Sequence, residues 1–512
     1  MHVNKCSIRI VFLAASVLLS NLIATEGFAV PRLRSSHGHV TTKVYNSGSA
    51  SAEDGTNDFQ SESRETKESV SKASAKSKTE MLYFAIPALG IFLASPLLSN
   101  IDNAFVGKTV GTVGLAALSP ATICTDQMLY LFSFLSRATT GIVSRAYSSK
   151  ETEEERIAAA RDSASTPLTF AIMSGILLSF FYAICTPKML MLLNVEPALR
   201  PAAASYVYWR GAIATFALVQ SVCLSTLLAT QDVITPLKIV SLAAVVNIVG
   251  DSFLCVYPLR WGVAGAAAAT AFATVFSSGK MLMNLAKRKL LPRISIPKLS
   301  DLKELLAYVG PLFIITICRL IGFTSMQRRA MTFGTVPLAA YQICVNAMIF
   351  FLLFGEPLSQ LQQTQLPALL SAGDRESTKS TMKSVLTLAS YTALGVGAVT
   401  FATLTLGSGL FSSDPLVQGF VKKTAPAVSF AVMQTIMTAS LDGAMLASRD
   451  FTFIILVGLL TCGIQLVLSS RCGNLSAIFG AFTLRLAVYC IAVLARIACG
   501  GGALGNVLKT RK

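Results

Sequence analysis

Five acidic residues interrupt long apolar runs of this chain: Asp102, Asp126, Asp251, Glu356 and Asp442. A carboxylate at the centre of a bilayer-spanning helix costs about 2.5 to 3.5 kcal/mol on insertion scales, so each of these is a candidate for ion or substrate handling. Asp102 lies in an apolar stretch over residues 86–117 that also carries Pro87, Pro96, Gly90 and Gly107. The prolines remove backbone donors and bend the helix, and the glycines allow close approach, so this segment is suited to changing shape inside a packed bundle. Asn247 and Asp251, in VVNIVGDSFL, are four apart. They share one helix face and can converge on one ion or proton. Arg137 and Arg319 also fall within apolar runs. A buried guanidinium must pair with something, and for Arg319 the candidates are Glu356, Asp442 or a carboxylate of a substrate. Glu356 precedes Pro357 at a break in its helix, and a pocket role and a structural role are equally open for it and for Asp442. Asp102 in turn is compatible with a polar contact that joins two helices.

Other chemistries are poorly supplied. The three histidines, His2, His37 and His39, sit in the N-terminal extension, which leaves the apolar part without a histidine for a catalytic triad or a metal site. Eleven cysteines are scattered with no CxxC pair, so neither a disulfide framework nor a zinc centre is expected, and core packing accounts for them. The run GVAGAAAAT lacks the strand and loop that would make its glycines cradle a phosphate and reads as close helix packing. No catalytic residue and no cofactor is expected, and the chain does not read as an enzyme.

The elements that must hold these groups are membrane helices. Of 512 residues 53% are hydrophobic and 13% charged, too apolar for a soluble protein of this size. From Met81 the apolar runs number roughly twelve, each long enough to cross a bilayer. The net charge of +17 is spread over short loops rather than gathered into a nucleic-acid surface. Loops after even-numbered spans, rich in residues such as Arg145, Arg161, Lys287, Arg288 and Arg375, outnumber the odd ones in Lys and Arg by roughly two to one. That asymmetry places both ends of the mature chain on the cytoplasmic or stromal side. A basic loop at 287–303 divides the spans six and six, giving bundles over 80–286 and 304–498 and a tail over 499–512. The halves echo one another: Pro87 and Pro311, LAA at 115–117 and 338–340, and LATQD and LASRD are offset by 224, 223 and 218 residues. Repeated halves that rock about a shared site are a common plan of secondary transporters. The offsets make Ser325, Gln465 and Ser469 the counterparts of Asp102, Asn247 and Asp251. None is acidic, so ion coupling is expected in the first half only.

Residues 1–27 read as a signal peptide, with Lys5 and Arg9 before an apolar core too short to span. The stretch from Phe28 is basic and hydroxyl-rich with no acid until Glu53, as transit peptides are, and residues 50–79 read as a flexible linker. The pair resembles the bipartite plastid presequence of algae with secondary plastids. An ordinary endomembrane or secretory-route protein is the alternative.

The segments IPALG, SNIDNAFVG and GLAAL resemble the first helix of the multidrug and toxic compound extrusion (MATE) transporters, and YLFSFLSRATTGIVSRAYSSKE their second helix in the plastid-type plant branch. The similarity extends through residues 246–270 and 337–351. The resemblance implies an all-α membrane protein of two pseudo-symmetric six-helix bundles that exports a small organic molecule in exchange for H⁺ or Na⁺. It also implies a cation pocket of Asp102, Asn247, Asp251 and Thr270, with Arg319, Glu356 and Asp442 as candidates for substrate binding or gating. Two carboxylates brought together in a low dielectric cannot both ionise cheaply, so one takes a proton or the pair holds Na⁺ through oxygen ligands. A lipid or lipid-linked flippase of related two-bundle plan is the nearest rival. The expected partners are the small substrate and membrane lipid, with no nucleic acid, and a monomeric, multi-pass protein of the plastid envelope is expected.

Overall fold

The computed structural model describes residues 78–110, 112–192, 195–256, 258–294, 299–412 and 414–509. The expected signal peptide, and the transit and linker segment up to residue 77, lie outside the described residues. Among the described residues every regular element is a helix.

The first half is built from α1 (Lys78–Thr109), α2 (Thr112–Leu131) with α3 (Ser133–Ser148), a surface helix α4 (Glu153–Ser163) leading into α5 (Ser165–Leu192), α6 (Arg200–Ala212) with α7 (Ala214–Ala229), α8 (Ile234–Asp251) and α9 (Val263–Lys287). The second half follows as α10 (Leu299–Met331), α11 (Thr335–Leu352) with α12 (Glu356–Ala372), α13 (Arg375–Leu406), a single turn α14 (Ser408–Phe411), α15 (Pro415–Ala447), α16 (Phe451–Arg471) and α17 (Leu475–Ala498). Taken as rods, these make six and six. Two boundaries differ from the sequence reading: α10 begins at Leu299, so the end of the basic loop is already helical, and the tail contains α18 (Gly502–Lys509).

Nine helices, or ten if the α6–α7 pair bent by 48° counts as one, are long and apolar enough on their own to cross a membrane among the described residues. The α2–α3 rod and α9 fall outside that set for a physical reason. The first carries Asp126, Arg137 and Arg145, and the second is built largely of alanine, serine and threonine whose alanines over 266–269 are completely buried. Both face neighbouring helices more than lipid. In α9 the small residues also set the packing distance: a Cβ on Gly265 would lie 2.7 Å from the carbonyl oxygen of Leu254. Lipid contact falls to outward stripes such as Leu177, Phe180 and Ile184 on α5, which are exposed at helical spacing.

The halves meet at the end of the molecule that holds the even-numbered loops. There Ser144 Oγ donates to the backbone oxygen of Gln363 at 2.9 Å, and Arg145 Nη2 to that of Ala447 at 3.1 Å. One apolar cluster at that end joins Leu135, Val143 and Leu285 to Leu441, Met445 and Ile454, and another joins Met81, Phe84 and Ile91 to Leu358 and Leu361. At the opposite end of the first half, the cluster around Val106, Leu190 and Val263 contains residues of that half alone. The bundles are therefore sealed on the even-loop side. Between them lies α12, whose Gln360, Gln362, Gln363 and Gln365 are all buried. Neither the oxygen nor the nitrogen of the Gln362 amide has a protein partner.

Candidate functional site

In the first half, α1, α8 and α9 pack together and bring four polar side chains to one point. Asn247 and Asp251 lie one turn apart on α8 and are completely buried, and Asp102 on α1 is 5% exposed. Asn247 Nδ2 donates to Asp102 Oδ1 and to Asp251 Oδ2, each at 2.9 Å. Thr270 Oγ1, on α9, is 2.9 Å from Asp102 Oδ2 and 3.0 Å from the carbonyl oxygen of Ala266. Its single proton can satisfy only one of the two at a time. The Asn247 Oδ1 atom is buried and has no protein partner. The cluster thus holds more acceptors than donors.

Local backbone geometry supports this gathering. Asp251 closes α8, and Ser252–Val256 continue it as a π-helical turn. Such turns cluster at functional sites because the wider coil re-aims the side chains on either side. Charge is unbalanced as well. Arg210 on α6 lies 3.1 Å from Asp126 and within electrostatic reach of Asp102. One guanidinium therefore stands near two carboxylates, Asp126 and Asp102.

The remaining sequence candidates form two ion pairs. Arg319 on α10 pairs with Asp442 on α15, whose other oxygen accepts from Tyr489 Oη at 2.5 Å. Arg137 on α3 pairs with Glu356 at the start of α12, 3.0 Å apart, so this bond links the two halves. Of the partners open to Arg319, the fold selects Asp442. Both guanidiniums keep part of their surface accessible, 19% for Arg137 and 28% for Arg319, and Tyr130 on α2, within electrostatic reach of Arg319, is 40% exposed.

The counterparts of the acidic cluster are neutral. Ser325 Oγ donates to the carbonyl oxygen of Gly322 at 2.7 Å, Gln465 Nε2 reaches the same carbonyl at 3.1 Å, and Ser469 Oγ is buried without a protein partner. Arg210, and Arg485 on α17, are charged residues inside rods that escaped the sequence reading. The signal for Arg485 was present, since it is an arginine in the apolar run AFTLRLAVY.

Comparison with known proteins points the same way as these contacts. The MatE family profile matches residues 87–253, from the first proline of α1 to just beyond Asp251. Over this segment the chain carries a MATE family domain. Two plant relatives, Protein DETOXIFICATION 47, chloroplastic, and Protein DETOXIFICATION 44, chloroplastic, both from Arabidopsis thaliana, are 29% identical over 382 residues and 26% identical over 415 residues. The first alignment covers 73% of this chain and 69% of the relative, the second 77% of each. Among solved structures, a MATE crystallised in complex with MaD3S and an outward-facing multidrug resistance MATE family transporter of the MOP superfamily each match with a TM-score of 0.73, 17% identity, and coverage of 86% of this chain and 99% of theirs. The likeness to these structures shows the fold: a multi-pass membrane protein whose twelve rods form the two six-helix bundles of MATE transporters.

Proposed function

We propose that this protein is an antiporter, which moves a small organic molecule across its membrane in exchange for H⁺ or Na⁺ held by Asp102, Asn247, Asp251 and Thr270. The observation that carries this reading is the sharing of one amide nitrogen, Asn247 Nδ2, by two buried carboxylates at 2.9 Å each, with Asn247 Oδ1 left without a protein partner. A proton between the carboxylates, or Na⁺ among the oxygens of Asp102, Asp251, Asn247 and Thr270, relieves both the charge and the surplus of acceptors. Such a cation couples to transport only if it binds one access state better than the other. The shape-changing features of α1 and the π-helical turn after Asp251 are where that difference would arise.

The substrate enters the space between the halves, where Arg319, Glu356 and Asp442 are the candidates for contacting it or for gating. The membrane proposed is the plastid envelope. The signal and transit composition of the N-terminal extension supports this, as do the names of the two chloroplastic relatives. Even-numbered loops then face the stroma. The deciding experiment is counter-transport in proteoliposomes, with a panel of organic cations and carboxylates under an imposed pH or Na⁺ gradient. Uphill movement of a compound driven by either gradient and lost in Asp251→Asn supports the assignment. Movement indifferent to both gradients removes it.

A further inference from the structure

The second half contains an arginine that its surroundings do not neutralise. Arg485, on α17, is 6% exposed. Its Nη1 donates to Gln465 Oε1 at 2.6 Å and makes a long contact of 3.5 Å to the backbone oxygen of Cys318. Both partners are neutral, and Nε and Nη2 make no hydrogen bond among the described residues. The acid within electrostatic reach is Asp442, which is already paired with Arg319 and accepts from Tyr489. Arg319 itself is also within reach of Arg485. Three guanidiniums, those of Arg137, Arg319 and Arg485, thus stand against two carboxylates, those of Glu356 and Asp442, leaving a net positive charge inside a membrane bundle.

The place is prepared for that charge. A Cβ at position 322 would overlap Arg485 Nη1 and lie 2.8 Å from Gln465 Oε1, so Gly322 makes the room that the guanidinium occupies. One turn beyond Gln465 on the same face of α16, Ser469 Oγ is buried with no protein partner. Gln465 and Ser469 are the repeat counterparts of Asn247 and Asp251. The first half therefore offers acceptors around an amide, and the second offers donors around an amide. An uncompensated buried charge is costly, and a guanidinium with two nitrogens free to donate, one helical turn along from an unpartnered hydroxyl by way of Gln465, is a fit for an anion.

We propose that the second half binds a small monovalent anion at Arg485, with Gln465 and Ser469 beside it, the chemistry being that of a halide or of the carboxylate head of an organic acid. The site needs no gradient to be detected, so its test stands apart from the antiport reading. Full-length protein in detergent is melted in a buffer whose anion is a bulky sulfonate. Chloride is then titrated in, and separately benzoate, with sodium held constant so that the first-half cation site is undisturbed. The melting temperature of the unaltered protein should rise by about 2 °C at ten times the dissociation constant. Response to chloride alone identifies an inorganic ion. A response to benzoate at lower concentration than chloride identifies an organic acid.

Arg485→Gln should flatten both titrations. Because that variant can fail to fold, Gln465→Glu provides an independent arm: a carboxylate built in beside the guanidinium should raise the anion-free melting temperature and abolish the response to added anion. Unaltered protein that is insensitive to both anions overturns the proposal, and so does a Gln465→Glu variant that keeps the full response.

Discussion

Arg137 and Glu356 meet 3.0 Å apart across the boundary between the halves, and they are 219 residues apart in the chain. That separation falls within the 218 to 224 of the internal repeat. The pair therefore sits at corresponding points of the second and eighth rods, close to the pseudo-symmetry axis, and acts as a tie between the two bundles. Because both side chains are partly exposed, the tie contributes about 1 kcal/mol at most, or roughly fivefold in the population of the sealed state. Glu356→Gln should speed thiol labelling of a Gln363→Cys reporter from the even-loop side by up to that factor, in a background where the exposed Cys499 is Ser. The charge-swapped pair Arg137→Glu, Glu356→Arg should bring the rate back. Equal labelling in all three proteins would deny the tie.

Asp102→Asn and Asp251→Asn keep the volume of each side chain but remove the ability to change charge. Each variant should express and bind substrate, yet lose the response of transport to ΔpH or Na⁺, since the driving ion no longer distinguishes the two access states. Ser325→Ala and Ser469→Ala should leave that response in place. Gradient-driven transport at full rate by the double variant Asp102→Asn, Asp251→Asn would falsify the first-half assignment and direct attention to Glu356 and Asp442.

Thr270 tests the same cluster more gently. Thr270→Val removes one hydrogen bond to Asp102, worth about 1 kcal/mol, so the half-saturating concentration of the coupling cation should rise roughly fivefold. Thr270→Ser keeps the hydroxyl and should restore it. A value unchanged in the valine variant would place Thr270 outside the site.

Packing of the second half can be probed at Gly443, where a Cβ would lie 2.5 Å from the carbonyl oxygen of Ser359 and 2.7 Å from its Cα. Helices α12 and α15 touch backbone to backbone there. Gly443→Ala should cost about 1 to 3 kcal/mol through overpacking, visible as a melting temperature lower by roughly 1 to 3 °C in a chain of this length. Gly419→Ala on the same helix, with open space around it, should leave the melting temperature unchanged or higher. Similar melting of the two variants would contradict the contact.

Targeting can be read from residues 1–60 alone. A fluorescent fusion to this segment should reach the plastid, and Phe28→Ala should halt it before the final membrane. Identical distributions of the two fusions would defeat the presequence reading.

Much of this arrangement could be read from the residues because it depends on short-range regularities. The i, i+4 spacing of Asn247 and Asp251 fixed their shared face before any tertiary contact was known, and the paired prolines and repeated LAA strings gave the two halves. Thr270 became visible through the family resemblance, since a threonine in a helix of small residues has no distinctive local pattern. Partner choice is a different matter. Whether Arg319 meets Glu356 or Asp442 depends on how α10 lies against α12 and α15, which no spacing encodes. Arg485 was missed because basic residues were weighed as markers of loop topology, and α18 because a helix of 8 residues flanked by glycines looks like a tail. The glutamines of α12 read as polar and are buried, because an element between two moving bundles follows the needs of both of its environments.

Those glutamines bear on how the protein returns from the sealed state. A permanent interface would be selected until each amide found a mate, and its grip would then resist reopening. The Gln362 amide, buried with no protein partner for oxygen or nitrogen, makes the seal a compromise: dry enough to stop leakage, but poor enough in internal hydrogen bonds that invading water offers these groups something better. Reluctance to stay shut is thereby written into the closed face itself, and under the antiport proposal a coupling ion has only to choose the moment of opening.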